Sequence, residues 1–336
     1  MPSLAITLRS AAMYAVLSVL TLVGCDVPAS GLLPTSIDGE AGEPTGAVGT
    51  TGSSAGSSPT GIALPHRPPL RIASFNIQTF GLSKLQRTQV VDILCDIVRQ
   101  FDVVAIQEIR SENQNMIPEF VERVNDGGAD YDYVIGPRLG RTATYQEQYA
   151  YIFDANSVRL DWNSVFTMVD EEDRLHREPL IATFRAITDE GTPFQFTLVN
   201  VHTDPDEVAY ELRVLNAVYR ALAEEPGGED DVIMLGDFNA APEDAASLSA
   251  LGRLTWAIHG IASNTRGSAL YDNLAFHPAH TVEFTGNGGV LNFAERYRLS
   301  LAEALDVSDH LPVWAEFSRV EHQTGVIAGR DDSSLR

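Results

Sequence analysis

The sequence predicts an α+β sandwich, and two observations carry that prediction. Strand-like segments come in clusters with only a few helical segments between them, which disfavours a regular βαβ alternation. The chain also has 336 residues, 44% of them hydrophobic, enough to fill a large core. Residues 70–76 alternate and are β-branched enough for a strand, and residues 83–99 carry apolar side chains at helical period. Residues 103–108 are a short buried run, and residues 113–124 read as a second helix. Strand signals then dominate over 131–135, 145–153, 158–168, 180–188 and 194–202. Residues 206–224 form a long amphipathic helix stopped by Pro226-Gly227-Gly228. Residues 232–235, 270–276 and 313–317 complete the set as buried strands, so one domain spans 70–320, without an internal repeat.

The chain ahead of that domain reads differently. One basic residue, Arg9, precedes an apolar run from Ala11 to Val23 that is too short for a mature membrane span but suits a signal-peptide core. Its end, Leu22-Val23-Gly24-Cys25, resembles a bacterial lipobox. That resemblance implies a lipoprotein signal peptide over 1–24 and lipidation of Cys25; an ordinary secretory signal is the alternative. Residues 25–69 are rich in Gly, Ser, Thr and Pro, with too little apolar surface to offset chain entropy, and are expected to be a flexible tether. Residues 321–336 read as a disordered tail. This layout places the protein in the cell envelope, anchored to a membrane by lipid outside the cytoplasm, or secreted, and a monomer is expected.

Charge and cysteines narrow the function classes. The formal charge is −23, or −24 once Arg9 leaves with the signal segment, which argues against broad nonspecific adhesion to nucleic acid or anionic lipid. A phosphate-bearing substrate stays open, because local arginines and divalent cations can reverse the field within a groove. Lys84 is the only lysine in the chain. Cys95, the one cysteine besides Cys25, joins the apolar face of the 83–99 helix as a buried thiol, so no disulfide braces the mature domain.

The chemistry lies in how the apolar runs end. Asn76 follows Ile72-Ala73-Ser74-Phe75, Gln107-Glu108 closes a run from Val103, and His202 closes Leu198-Val199-Asn200-Val201. Asp237 and Asn239 follow a run from Val232, Asp272 interrupts a run from Leu270 to Leu274, and Asp309-His310 precede the last strand. One polar residue closing a strand is ordinary. Six such ends would be an odd use of polar groups near a core unless they converge.

In this order the segments resemble the endonuclease/exonuclease/phosphatase superfamily. Leu139-Gly140-Arg141, Tyr145-Gln146-Glu147-Gln148-Tyr149, Arg177-Glu178-Pro179 and Tyr271-Asp272 resemble its deoxyribonuclease I-like branch. The resemblance spans Ile72 to Phe317 and implies a four-layered α/β/β/α sandwich of two mostly antiparallel sheets, with the site at the mouth of the strands. It implies an endonuclease that hydrolyses DNA to 5′-phosphate products and depends on Mg²⁺ or Mn²⁺. Glu108 is then a metal ligand with Asn76 and Asp309, and Asp237 and Asn239 orient the phosphate or hold a second ion. His310 with Asp272 activates water, and His202 with Glu147 protonates the departing oxygen, although which histidine is base and which is acid stays open.

Such chemistry suits these residue types. Hard cations held by oxygen ligands stabilise charge on phosphate oxygens, and a carboxylate partner raises an imidazole's pKa and fixes its tautomer. Arg110, Arg141, Tyr145 and Arg177 match positions that contact the DNA backbone in the family. Asp173 and Glu178 match two ligands of a structural Ca²⁺, while the acidic run Asp170-Glu171-Glu172-Asp173 reads equally as a solvated loop. The family's disulfides and its other calcium loop are missing. The alternative on the same scaffold is a sphingomyelinase-like or inositol-phosphate phosphatase-like enzyme, the former weakened by the absence of an apolar docking hairpin. A non-catalytic module would need a lost catalytic residue, and none is lost.

Overall fold

The computed structural model describes residues 67–142, 144–248 and 253–322. The signal segment with Cys25, most of the tether and most of the tail lie outside the described residues. At the domain's two ends, Pro68 O accepts from Arg319 Nε at 2.6 Å and Glu321 N donates to Thr192 O at 2.9 Å.

β1 (Leu70–Phe80) and β2 (Val103–Ile109) lie parallel, joined through α1 (Leu82–Leu85) and α2 (Thr88–Val98). α3 (Met116–Val124) leads to β3 (Tyr131–Ile135), β4 (Leu139–Thr142) and β5 (Tyr145–Asp154). β6 (Val158–Thr167), β7 (Leu180–Ala186) and β8 (Gln195–His202) form an antiparallel meander, and α4 (Val208–Ala223) crosses over to β9 (Val232–Asp237), parallel to β8. α5 (Pro242–Leu248), β10 (Thr255–Trp256), β11 (Asp272–Phe276), β12 (Phe284–Val290), α6 (Phe293–Arg296), α7 (Leu301–Val307) and β13 (Val313–Phe317) complete the domain.

One sheet runs β12-β13-β1-β2-β5-β3, with β4 also on β5, and the other runs β10-β11-β9-β8-β7-β6. They face one another over a core that includes Ile72, Val103, Tyr151, Phe184, Phe196 and Leu198. Helices α2, α3 and α7 cover the outer face of the first sheet through Leu94, Phe120 and Val307, and α4 covers the second through Leu212, Leu215 and Val218. β1 shows why the pattern reads as nearly continuous apolar sequence. Leu70 and Ile72 face the other sheet while Ala73, Phe75 and Ile77 face helices, so both faces are dry. Burying a side chain such as Leu94 contributes about 1.5–3 kcal/mol. The layers are therefore the expected α/β/β/α.

The strand directions position the site. Each sheet centres on one parallel pair, β1–β2 or β8–β9, and the other pairings among the described residues are antiparallel. The C-terminal ends of those four strands therefore share a rim with the N-terminal ends of β5, β11 and β13. Every expected site residue on a strand end falls on that rim.

Some elements differ from the sequence reading. Residues 83–99 form two helices, because Arg87 (φ −91°, ψ 87°) leaves the helical region. The helix expected from 113 starts at Met116, since Ser111 Oγ accepts from Asn113 N and Asn113 Oδ1 accepts from Asn115 N, holding a turn. The strand expected from 270 starts at Asp272, because Ser263 Oγ accepts from both Tyr271 N and Asp272 N. β4, β12 and α7 are additions; β12 is glycine-rich and α7 begins with a capping box between Ser300 and Glu303. Among the described residues no helix is long and apolar enough to cross a membrane.

Candidate active site

Glu108 sits where β2 is irregular. Its register with β5 runs from Ile106 opposite Ala150 to Ile109 opposite Gln148, so two residues oppose one, and Glu108 takes a φ of +60°. A carboxylate side chain in that conformation is strained by about 1–3 kcal/mol, a strain that functional sites retain when surroundings enforce it. Here the surroundings are Asn76 Nδ2 at 3.2 Å from Oε1, with Thr79 N at 2.9 Å and Arg110 Nη2 at 3.2 Å from Oε2.

Two imidazoles face one another across Asp237. His202 Nδ1 lies 2.6 Å from Glu147 Oε1, and His310 Nδ1 lies 2.8 Å from Asp272 Oδ2. Each Nε2 stands 3.6 Å from the same atom, Asp237 Oδ2, which also accepts from Asn76 Nδ2 at 3.1 Å. Burial would lower the His202 pKa, but Glu147 outweighs it and holds the imidazole above its usual value. Burial likewise works against His310, and Asp272 and Asp237 together push it up to about 10. Burial would raise Glu147, yet His202, Arg177 and Arg110 hold it down at about 2. With Nδ1 tied to a carboxylate, each ring presents Nε2 to the rim, able to accept or donate according to its charge.

Beside this pair lie three unsatisfied side-chain oxygens. Asn76 Oδ1, Asp309 Oδ1 and Asp272 Oδ1 are buried without a hydrogen-bond partner, an arrangement that is costly unless something else fills it. Asp237, Asp272 and His310 bring ligand atoms within 4.8 Å of one another. Asn76 and Asp309 with the Glu108 carboxylate are an all-oxygen set, which fits a hard divalent cation. Burial raises the Asp309 pKa, and Glu108 and Asp237 add to it, so positive charge at this point would be stabilised.

Asp237 is itself oriented: its Oδ1 accepts from Asn239 N at 2.9 Å, with Asn239 at φ +47° and its amide donating to Thr203 O.

The residues matched to DNA contact separate into distinct groups. Tyr145 is 56% exposed, and the Arg110 guanidinium lies over its ring at 4.3 Å, beside Glu108 and Glu147. Arg141 is ion-paired at 3.3 Å with Asp173 and 3.1 Å with Glu207. Arg177 corrects the sequence expectation. It is 6% exposed, with Nε 3.0 Å from His202 O and 3.2 Å from Glu147 Oε1, so it lies behind the His202–Glu147 pair rather than on an exposed surface. At the positions matched to calcium ligands, Asp173 pairs with Arg141, and burial raises the Glu178 pKa, with Asp170 and Asp173 adding to it.

Several contributors escaped the sequence reading. Gln78, two residues beyond Asn76 on the same strand face, donates to Asp309 Oδ2 at 2.8 Å. Ser308 Oγ donates to Asn76 O and accepts from Gln78 N and His310 N, tying the two chain segments together. Ser263 Oγ donates to Asp272 Oδ2 at 2.7 Å. Lys84, lowered to about 8 by burial, donates to Gln78 O and Val307 O beneath Asp309. Under the rim, Gln107 Nε2 donates to Asn200 Oδ1 at 2.6 Å and joins the two sheets.

Fold and rim together define a four-layer sandwich hydrolase scaffold with one polar site at the mouth of its strands. The profile of the Endonuclease/Exonuclease/phosphatase family matches residues 73–310, and this chain belongs to that family, in its deoxyribonuclease I-like branch. It is 34% identical over 268 residues to Deoxyribonuclease-1-like 1 of Sus scrofa, covering 75% of this chain and 82% of that relative. It is 32% identical over 273 residues to Deoxyribonuclease gamma of Rattus norvegicus, covering 75% and 86%. Among solved structures, the human Nocturnin catalytic domain with bound sulfate gives a TM-score of 0.51 over 75% of this chain and 93% of that one. At 15% identity that is a likeness of fold.

Proposed function

We propose that this protein is a divalent-metal-dependent endonuclease that hydrolyses DNA phosphodiester bonds and leaves 5′-phosphate ends. The observation that carries this reading is the opposed pair of carboxylate-backed imidazoles, each with Nε2 at 3.6 Å from Asp237 Oδ2. The relatives named as deoxyribonucleases support DNA as the substrate.

Asn76, Glu108 and Asp309 would hold the cation. When bound, it stabilises negative charge on the phosphate oxygens. His310 Nε2, its ring held by Asp272, would take a proton from the attacking water in its neutral form, a form that a cation held by Asn76, Glu108 and Asp309 would favour by offsetting the carboxylates that push His310 up to about 10. The water oxygen bonds to phosphorus as the bond to the 3′ oxygen breaks, and the electron pair leaves with that oxygen. His202 Nε2, its ring held by Glu147, gives its proton to the leaving oxygen, so a 5′-phosphate and a 3′-hydroxyl result. The two imidazoles end with exchanged protonation states and reset through solvent. Asp237, with Asn239 and Asn76 behind it, orients the phosphate between the rings. Arg110 stacked on exposed Tyr145 offers a guanidinium to a backbone phosphate.

Relaxation of supercoiled plasmid tests this reading, with Mg²⁺, with chelator, and with His310→Ala. Nicking that needs metal and is lost in the variant supports it. A folded, Mg²⁺-supplied protein that never nicks overturns it and directs the search to small or lipid phosphodiesters. We further propose that lipid on Cys25 holds the enzyme in the cell envelope; Cys25→Ala should then move nuclease activity from membrane to soluble fractions.

A further inference from the structure

We propose that Asp231, Glu283 and Glu321 form a second divalent-cation site, for a hard ion of calcium's kind, at the end of the sandwich opposite the histidines. Asp231 immediately precedes β9, whose far end carries Asp237; six residues of extended chain separate them by about 20 Å. Glu283 immediately precedes β12, and Glu321 follows β13. Three segments distant in sequence thus bring carboxylate oxygens within 4.8 Å of one another.

Asp231 is 2% exposed and Glu283 1%, a depth at which acids are almost always paired. No lysine or arginine among the described residues pairs with any of the three. The nearest positive group is His322, with Nδ1 3.6 Å from Glu283 Oε1 on a largely exposed ring. Independently of the clustering, Asp231 Oδ1 and Glu283 Oε2 are buried without a hydrogen-bond partner. The Thr281 hydroxyl lies beside the Asp231 carboxyl and, as a donor, offsets part of the upward push of burial on it. Backbone donors satisfy other oxygens of the group, His322 N donating to Glu283 Oε1 at 2.6 Å and Gln195 N to Glu321 Oε2 at 3.4 Å, and leave Asp231 Oδ1 and Glu283 Oε2 open.

Mutual repulsion disfavours ionising all three carboxyls at once unless a cation joins them. Glu229 and Asp230 form a further close group with Asp231, so five acids converge. An ion that takes six to eight oxygen ligands in flexible geometry suits this set better than an octahedral one with several retained waters. Bound there, it would clamp the chain leaving β13 onto the starts of β9 and β12.

Calcium titration of the full protein tests the site, read by thermal unfolding and calorimetry, in a Glu108→Gln/Asp309→Asn background that silences the rim site. The expected result is saturable 1:1 binding that raises Tm by several degrees, with Mg²⁺ about tenfold weaker or worse. In the same Glu108→Gln/Asp309→Asn background Glu283→Gln should abolish the calcium-dependent rise, and in an otherwise unaltered chain it should leave Mg²⁺-supported plasmid nicking intact. If Glu283→Gln does not fold, the less buried Glu321→Gln should weaken calcium about tenfold or more. No binding of either ion, or calcium stabilisation undiminished in both Glu283→Gln and Glu321→Gln, overturns the proposal.

Discussion

His202 and His310 aim their Nε2 atoms at one oxygen, Asp237 Oδ2, each from 3.6 Å, and each pairs its Nδ1 with a carboxylate of the opposite sheet. His202 ends β8 in one sheet and its partner Glu147 lies on β5 in the other; His310 precedes β13 in the first-described sheet and its partner Asp272 starts β11 in the second. The two acid–imidazole pairs therefore cross the sandwich in opposite senses. Neither pair can form until both sheets have docked.

Removing either imidazole should remove proton transfer without disturbing the fold. His202→Ala and His310→Ala should each slow plasmid nicking by about 10²–10⁴-fold, with circular dichroism unchanged. Because the two act in one displacement, the double variant should be far less impaired than the product of the single losses.

Glu147 links this site to acid stability. Its folded value, near 2, lies below the usual 4.5, so its stabilisation is present above pH 4.5 and is lost as pH falls toward 2. A shift of that size is worth about 3 kcal/mol. Urea midpoints at pH 6, 4 and 2.5 should fall steeply for the native chain and less for Glu147→Gln; equal slopes would mean that Glu147 is not held ionised by His202.

Two arginines that look alike in sequence should behave differently. Arg177→Met leaves Glu147 short of a buried partner and should cost about 3–5 kcal/mol of stability. Arg110→Ala should instead raise KM for DNA and reduce the salt dependence of binding by about one unit of log–log slope, with Tm nearly unchanged. Denaturant melts and binding at several ionic strengths distinguish the two.

Gly236 is constrained by contact as well as conformation. At φ +150° a Cβ would stand 1.9 Å from Val201 O, backbone that cannot yield without separating β8 from β9. Gly236→Ala should destabilise by more than about 3 kcal/mol or prevent soluble expression, and His202 and Asp237 should lose register together. A well-folded, active Gly236→Ala protein would contradict the close approach of these strands.

Much of the site was readable because polar residues ending dry strands are local signals. Asn76, Glu108, His202, Asp237 and Asp309-His310 stand out within a few residues of apolar runs. Gln78 and Ser308 carried signals that went unused, the first by its spacing of two from Asn76, the second by its place in Ser308-Asp309-His310. Lys84 and Ser263 carried none. Their importance comes from carbonyls and a carboxylate that arrive from elsewhere in the chain.

Strand period, apolar runs and turn residues act over short range, so most strands, the main helices and the polar residues that end the strands were legible locally, while the four layers and the rim were implied by the resemblance to a family. The pairing of each histidine with its carboxylate was implied by the family resemblance and not by any local pattern, whereas the packing of the domain settled that Arg177 is buried support while Arg110 faces the rim, and that Asp231, Glu283 and Glu321 meet at the far end. Those outcomes depend on the docking of two sheets whose facing residues lie tens to hundreds of positions apart. No local pattern encodes which side chains then share a low-dielectric space, and there an unpaired charge is too unfavourable to leave without a partner.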